Sequence, residues 1–386
     1  MQNSFAIPGR ALRPRSGSKP KFNLGVEALL LVCCVALLGI SVLMVLSTTA
    51  PLSDQLHSDG LMFAKRHVLN IIAGVVVMFA VVRAQPRFLL QLGPFILLCS
   101  VLMLVLVLVP SLGVKAGGAQ RWLSLGPVRV QPGEFVKLGI VLYIASYVGR
   151  QEERLSTLAG GLAIPFGIVG AVVLLLLLQP DFGTSAVIGL IVFAQLLVSG
   201  ARLTHLFGAA LLGGSAAWLM IQSSAYRLRR IQAFLDPFDD PSNTGYQLIQ
   251  SLIAVGSGGV SGAGLGAGQQ KLFYLPAAHT DFIFAVIGEE LGLIGCTATL
   301  LIFAVIAFAG LTISMRLRDS SELSALAVGL TLLLTLPAFL NMMVVTGLLP
   351  TKGLVLPLVG YGGSAMVANL IALGLLIRLA KVPIKP

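Results

Sequence analysis

The chain has 386 residues, 56% of them hydrophobic and only 11% charged, with a formal net charge of +11. Its mean hydropathy is +0.95. A single globular interior cannot use that much apolar sequence, so the composition excludes a soluble domain and describes a polytopic membrane protein.

Residues 1–23 are basic, with Arg10, Arg13, Arg15, Lys19 and Lys21, and they are rich in Pro, Gly and Ser. They read as a disordered cytoplasmic tail ahead of one transmembrane domain over 24–386. The apolar run that follows is too long for the core of a cleaved signal peptide and ends without a small-residue cleavage pattern. Hydropathy places spans near 25–48, 68–82, 93–112, 134–149, 158–178, 182–200, 203–222, 281–313, 322–348 and 362–380. The expected fold is therefore an all-α polytopic membrane protein of about ten transmembrane helices. Cys33, Cys34, Cys99 and Cys296 all fall inside these spans, which argues against a disulfide framework or a metal site.

Ten spans put both termini on one side. Arg83, Arg87, Arg150, Arg154, Arg202, Arg316, Arg318, Arg378, Lys381 and Lys385 join the basic tail on that face, and the opposite short loops carry fewer cations. The positive-inside rule makes the termini cytoplasmic and residues 223–280, between the seventh and eighth spans, a large extracytoplasmic loop. The run 281–313 exceeds one bilayer crossing, so it is expected to tilt or to bury one end in protein.

The chemistry gathers in the outer loops. Between the third and fourth spans Arg121 precedes Trp122, either as an interfacial anchor or as a phosphate contact. Glu134 and Lys137 follow at i and i+3, neighbours on one helical face, where they either neutralise each other and set packing or meet substrate. In QPDFGTS, Asp181 is placed to cap the next helix. The large loop holds Arg227, Arg229 and Arg230, an amphipathic stretch TGYQLIQSLIAV, and the glycine-rich GSGGVSGAGLGAG. That glycine run neither follows a strand nor precedes a Walker lysine, so it is no nucleotide site.

The organising stretch is KLFYLPAAHTDFIFAVIGEELG, from Lys271 to Gly292. Asp281 stands where the polar loop turns into a long apolar run, with Glu289 and Glu290 about 12–13 Å further along a helix. Ionisable groups in such a place face a protein-lined cavity and are functional candidates, although Thr280 or Asp281 would equally serve as a helix cap. The last outer loop, GLLPTKGLVLPLVGYGGSA, carries Lys352, Pro350 and Pro357 and reads as an irregular segment buried in protein. One face thus collects Asp281, Glu134, His279 and several cations, an arrangement suited to an anionic, lipid-linked substrate.

These motifs resemble the SEDS family, the division, elongation and sporulation proteins FtsW, RodA and SpoVE. The resemblance rests on KR at 65–66, RW..LGP..QP.EF.K at 121–137, QPDFGTS, YR..R...FLDP from Tyr226, GYQ..QSL.A.GSGG, YLP.AHTDFIFAVIGEELG and GLLPTKG...PL..YGGS. It covers nearly the whole chain after the tail, and TKG at 351–353 with IGEELG is closest to the FtsW branch. Three positions depart from the family pattern: Ala277 replaces a glutamate, Gly133 a serine, and GYGGSA stands for SYGGSS.

The resemblance implies a peptidoglycan glycosyltransferase of septal wall synthesis. It would polymerise lipid II on the outer face of the bacterial inner membrane, beside a class B penicillin-binding protein transpeptidase and other divisome proteins, with no nucleic acid partner. Asp281 falls on the family's catalytic aspartate and would act as general base. Arg66, Arg121, Arg227, Arg230, Lys271 and Lys352 are the expected pyrophosphate contacts, while Glu134, Lys137, His279, Glu289 and Glu290 shape the cavity. No ligand spacing demands a metal, and Mg2+ or Mn2+ at the pyrophosphate stays open as a candidate cofactor. Two rival readings remain, a lipid II flippase and a non-catalytic scaffold that activates a penicillin-binding protein; the first predicts polar midplane residues in both halves, and none is evident.

Overall fold

A computed structural model describes residues 25–56, 61–116, 119–126, 128–272 and 274–383. The basic tail expected at 1–23 lies outside them. The described residues form twelve α-helices and one small sheet. The helices are α1 (Val26–Leu56), α2 (Met62–Arg83), α3 (Pro86–Leu108), α4 (Pro132–Gln151), α5 (Ala163–Leu178, entered through a π turn at Leu158–Leu162), α6 (Phe182–Val198) and α7 (Leu203–Gln222). They continue with α8 (Ala225–Leu235), α9 (Tyr246–Ser257), α10 (Ile283–Arg316), α11 (Ser321–Val345) and α12 (Gly363–Ala380).

Eight of these, α1, α2, α3, α5 with its π turn, α7, α10, α11 and α12, are long and apolar enough to cross a membrane. The other two expected spans fall outside this set by length and composition: α6 has only 17 residues, and α4 carries Glu134, Lys137 and Arg150. Both lie where spans were expected, and α6 leaves Leu190, Leu197 and Val198 exposed. α4 is buried on nearly every side and, with α11 and α12, forms the centre. A helix that is covered all round has no lipid face to keep uniformly apolar.

Close packing there depends on small residues. A Cβ at Gly93 of α3 would lie 2.9 Å from the Leu142 carbonyl of α4, and one at Gly139 would lie 3.0 Å from the Leu97 Cα. Without side chains at both points the two backbones approach closely, which is how helices associate where the solvent is itself apolar. Gln195 of α6 adds a polar tie, its Nε2 donating to the carbonyls of Val141 at 3.0 Å and Ala325 at 3.1 Å.

Two features of the loops were not expected. The segment between α3 and α4 is an antiparallel sheet, β1 (Gly113–Ala116), β2 (Ala119–Leu125) and β3 (Val128–Val130), in that order. Leu123 pairs with both Gly113 and Val130 and is buried. The sheet is tied to the end of α3 by Gln120 Nε2, which donates to the Val107 carbonyl at 2.8 Å, and it carries Arg121 toward the α5–α6 turn.

The second feature is a break in α10. Gly292 has φ +65° and ψ −159°, so the helix is two pieces. The first, from Ile283 to Glu290, is wholly buried, which satisfies the expectation of a protein-buried end for this long run. The glycine-rich loop fills the break. Ala263 N and Gly264 N donate to the carbonyls of Glu289 and Glu290 at 2.9 and 3.1 Å. Leu293 N and Ile294 N donate to Gly259 O and Val260 O at 2.9 and 3.2 Å. A broken helix at such a depth persists only when its freed backbone groups are paired in this way. The glycine run is therefore docked into α10 and is not a free linker.

Candidate active site

Asp281 lies in the turn that leads into α10. The helix cap is Phe282, which makes no side-chain cap bond, and Thr280 Oγ1 donates instead to Ala277 O at 3.2 Å. Neither residue serves the capping role that the sequence allowed. The turn is pinned from two sides. Asn341 of α11, itself buried, donates through Nδ2 to the carbonyls of both Asp281 and Leu354 at 2.6 Å. Tyr361 N donates to His279 O at 2.9 Å. The irregular stretch between α11 and α12 is buried from Leu356 to Gly360, as expected for non-helical backbone among spans, and it forms one wall of the site.

The Asp281 side chain is half-buried and densely surrounded by protein. Burial pushes its carboxyl up from the ordinary value to about 6; Arg121 pulls it down, Asp181 pushes it further up, and Arg230 pulls it down. Arg121 is aimed by the turn before α6, donating to the carbonyls of Gln179 and Pro180. Arg230, on α8, donates to Thr351 O at 3.3 Å. Lys352 is next to Thr351, its pKa lowered by burial while Asp181 acts to raise it. Asp181 caps α6 as its position implied, accepting from Thr184 N at 3.2 Å and Thr184 Oγ1 at 2.9 Å.

Behind this cluster lies a small polar cavity of about 30 Å³, lined among others by Arg121, Glu134, Lys137, Asp181, Gly353 and Asn369. Lys137 Nζ and Glu134 Oε2 are 2.9 Å apart and both residues are buried. They pair with each other at the cavity wall. Arg66, in the first turn of α2, is exposed and stands near Tyr361, whose hydroxyl pKa burial raises and Arg66 lowers. The Tyr361 ring packs against Phe63, His67 and His279 at centroid distances of 5.9, 5.7 and 5.8 Å. Beside Arg66 an apolar groove of about 520 Å³ runs between α1 and α2, with Lys65 and His67 among its lining residues.

The structure therefore brings Arg121 and Arg230 to act on Asp281, with Lys352 adjoining Gly353, Glu134 and Lys137 lining the small cavity, and His279 and Arg66 beside Tyr361. Arg227 packs on the start of α6, its guanidinium 4.2 Å over the Phe182 ring, and Nη1 donates to Met220 O. Lys271 corrects the expectation of a phosphate contact. Its ammonium is 2.6 Å from Glu290 Oε1 and 2.7 Å from Ser47 Oγ, buried on both sides. Glu289 accepts from Gln269 N at 2.6 Å and Gln270 N at 3.2 Å, and Glu290 accepts from Gly266 N at 3.0 Å. The two glutamates clamp the glycine-rich loop and do not shape the Asp281 cavity. Among the described residues, no group of three or more His, Cys, Asp or Glu side chains converges as a metal site would require.

Sequence reasoning missed Gly353, Asn341, Asn369 and His67. A buried Asn in an otherwise apolar span was the available signal for Asn341 and Asn369. His67 is buried, 2.7 Å from Ser41 Oγ, which also donates to Val359 O at 2.8 Å. Since the serine proton is used there, Nε2 of the imidazole is the donor to Ser41.

Comparison with known proteins agrees with this architecture. The profile of the FtsW, RodA and SpoVE cell cycle proteins matches residues 28–383, and the chain belongs to that family. The probable peptidoglycan glycosyltransferase FtsW of Nitrosococcus halophilus is 41% identical over 364 residues, 94% of this chain and 93% of that protein. Its namesake from Legionella pneumophila is 42% identical over 345 residues, 89% and 88% of the two chains. A solved chain from work on the structural coordination of polymerization and crosslinking by a peptidoglycan synthase complex superposes with a TM-score of 0.71. It is 29% identical, over 94% of this chain and 98% of that one. The rod shape determining protein RodA of Thermus thermophilus gives a TM-score of 0.64 at 26% identity, over 91% and 95%.

Proposed function

We propose that this bacterial membrane protein is a peptidoglycan glycosyltransferase that polymerises lipid II during septal wall synthesis, with Asp281 as general base. The observation that carries the reading is the half-buried Asp281, its carboxyl raised to about 6, resting against Gly353 with Arg121 and Arg230 acting on it and Lys352 next along the chain from Gly353. A base needs a proton affinity near the working pH, and a pyrophosphate leaving group needs fixed positive charge.

In the proposed step the acceptor GlcNAc 4-hydroxyl attacks the donor MurNAc anomeric carbon. Its proton passes to Asp281 as the new carbon–oxygen bond forms. The bond from that carbon to the pyrophosphate breaks, the electron pair leaves on the pyrophosphate, and the α link becomes a β-1,4 link. Arg121, Arg230 and Lys352 meet the phosphates, Arg66 guards the groove side, and the apolar α1–α2 groove suits an isoprenoid tail. A Mg2+ or Mn2+ ion, if used, would be held largely by the phosphates, with Asp281 left to take the proton. The site faces outward with both termini cytoplasmic, and the enzyme works beside a class B penicillin-binding protein transpeptidase.

The test is incubation of the purified chain, with its transpeptidase partner, with lipid II. Glycan strands that a muramidase cleaves are the expected product. Lipid II crossing a vesicle bilayer with no strands formed would replace this reading with the flippase.

A further inference from the structure

The Asp281 site contains a second carboxylate that the proposed step leaves unused. Asp181 is only 5% exposed, and Thr184 holds it through two hydrogen bonds. It lines the small cavity together with Gly353, Arg121, Glu134 and Lys137. Gly353 is also the residue against which Asp281 rests, since a Cβ built there would stand 2.8 Å from Asp281 Oδ2. Gly353 thus meets Asp281 directly and shares the small cavity with Asp181.

The cations around them are placed by other groups. Arg121 is aimed by the Gln179 and Pro180 carbonyls, and Arg230 donates to the Thr351 carbonyl. The charged groups that act on Asp281 are Arg121 from β2, Arg230 from α8 and Asp181 from the start of α6; Lys352, next to Gly353 on the α11–α12 segment, feels Asp181, and His279 is two residues away on the same turn. Unopposed, the two arginines would hold Asp281 as a weak base. The fixed negative charge of Asp181, on the cavity that Gly353 also lines, works against them.

We propose that Asp181 is a positioning residue of this site: its buried charge, fixed by Thr184 on the cavity that Gly353 also lines, keeps Asp281 basic and gives Lys352 an anion to face. The electrostatics agree in direction, since Asp181 acts to raise the pKa of both Asp281 and Lys352. A role in capping alone would need the oxygen atoms of Asp181 but not its charge.

This inference rests on the general-base reading of Asp281, and the experiment separates the two. The full chain with its transpeptidase is assayed for lipid II polymerisation from pH 5 to pH 8.5, as wild type, Asp181→Asn and Asp281→Asn. Asparagine and serine both cap helices well, so Asp181→Asn removes charge but keeps the cap, and Asp181→Ser serves the same purpose if the first variant does not fold. The expected result is an acid limb displaced to lower pH by about half a unit, with a slower rate on the plateau as the base weakens. An acid limb unmoved in both Asp181 variants, whatever their overall rate, overturns the inference. A wild type without an acid limb, or an active Asp281→Asn, overturns the general-base reading and this one with it.

Discussion

Asp281 Oδ2 rests against the α-carbon of Gly353, so close that a methyl group on Gly353 would lie 2.8 Å from it. Gly353 is exposed and makes no demand on the core, so its lack of a side chain serves the carboxylate. Gly353→Ala should fold with a change in stability within about 0.5 kcal/mol. It should polymerise roughly 10- to 100-fold more slowly, because the base is displaced from the attacking hydroxyl. Steady-state polymerisation beside a thermal melt measures both, and an unimpaired rate would show that the carboxylate tolerates movement.

Burial raises the Asp281 carboxyl to about 6, above its value in an unfolded chain, so folding favours the neutral acid. The resulting stability is present below pH 4 and is lost as pH rises through 6. Asp281→Asn keeps the shape without the charge. It should leave the melting point unchanged at pH 4 and raise it at pH 7.5, by about 1–2 kcal/mol of stability after solvent screening. Differential scanning of wild type and variant at the two pH values reads the effect, and a variant less stable at pH 7.5 would contradict it.

Lys271 and Glu290 form a buried pair with Ser47. Removing one partner leaves a charge uncompensated, so Lys271→Met should cost about 3–5 kcal/mol, while Lys271→Met with Glu290→Met should recover much of the loss. The comparison is made by thermal unfolding in detergent. A Lys271→Met protein of normal stability but with a raised KM for lipid II would return Lys271 to the phosphate contacts.

The break in α10 depends on Gly292. A Cβ there would fall 2.3 Å from Gly262 N, at φ +65°. Gly292→Ala should therefore cost more than about 2 kcal/mol and expel the glycine-rich loop. Limited proteolysis should then cut between residues 258 and 270, where the wild type resists.

The sequence made some of this legible and hid the rest for identifiable reasons. Spans such as α3, α7 and α12 are continuous apolar runs, and Asp281 stands out as a carboxylate at a junction. The Glu134–Lys137 pair was visible because i and i+3 must be neighbours on a helix. Lys271 and Glu290 are 19 residues apart across a turn, and nothing periodic links them, so Lys271 looked like one more free cation. Ala119–Leu125 lacks a clean apolar/polar alternation, with Gln120 beside Arg121 and Trp122 beside Leu123, so the strand was not legible. For α10 the length of the run announced a buried end; only the docked loop shows that the break is at Gly292. Gly353 carries no side chain to draw notice, and its place beside Asp281 is set by Asn341 holding both strands of backbone.

The central claim is that Asp281 takes the acceptor's proton. The most direct measurement is lipid II polymerisation by the purified complex with its transpeptidase, comparing wild type with Asp281→Asn after equal folding, complex formation and lipid II binding have been verified. Loss of glycan strands by about 10²-fold or more with binding retained is the predicted result. Strands formed by Asp281→Asn at the wild-type rate would contradict the account.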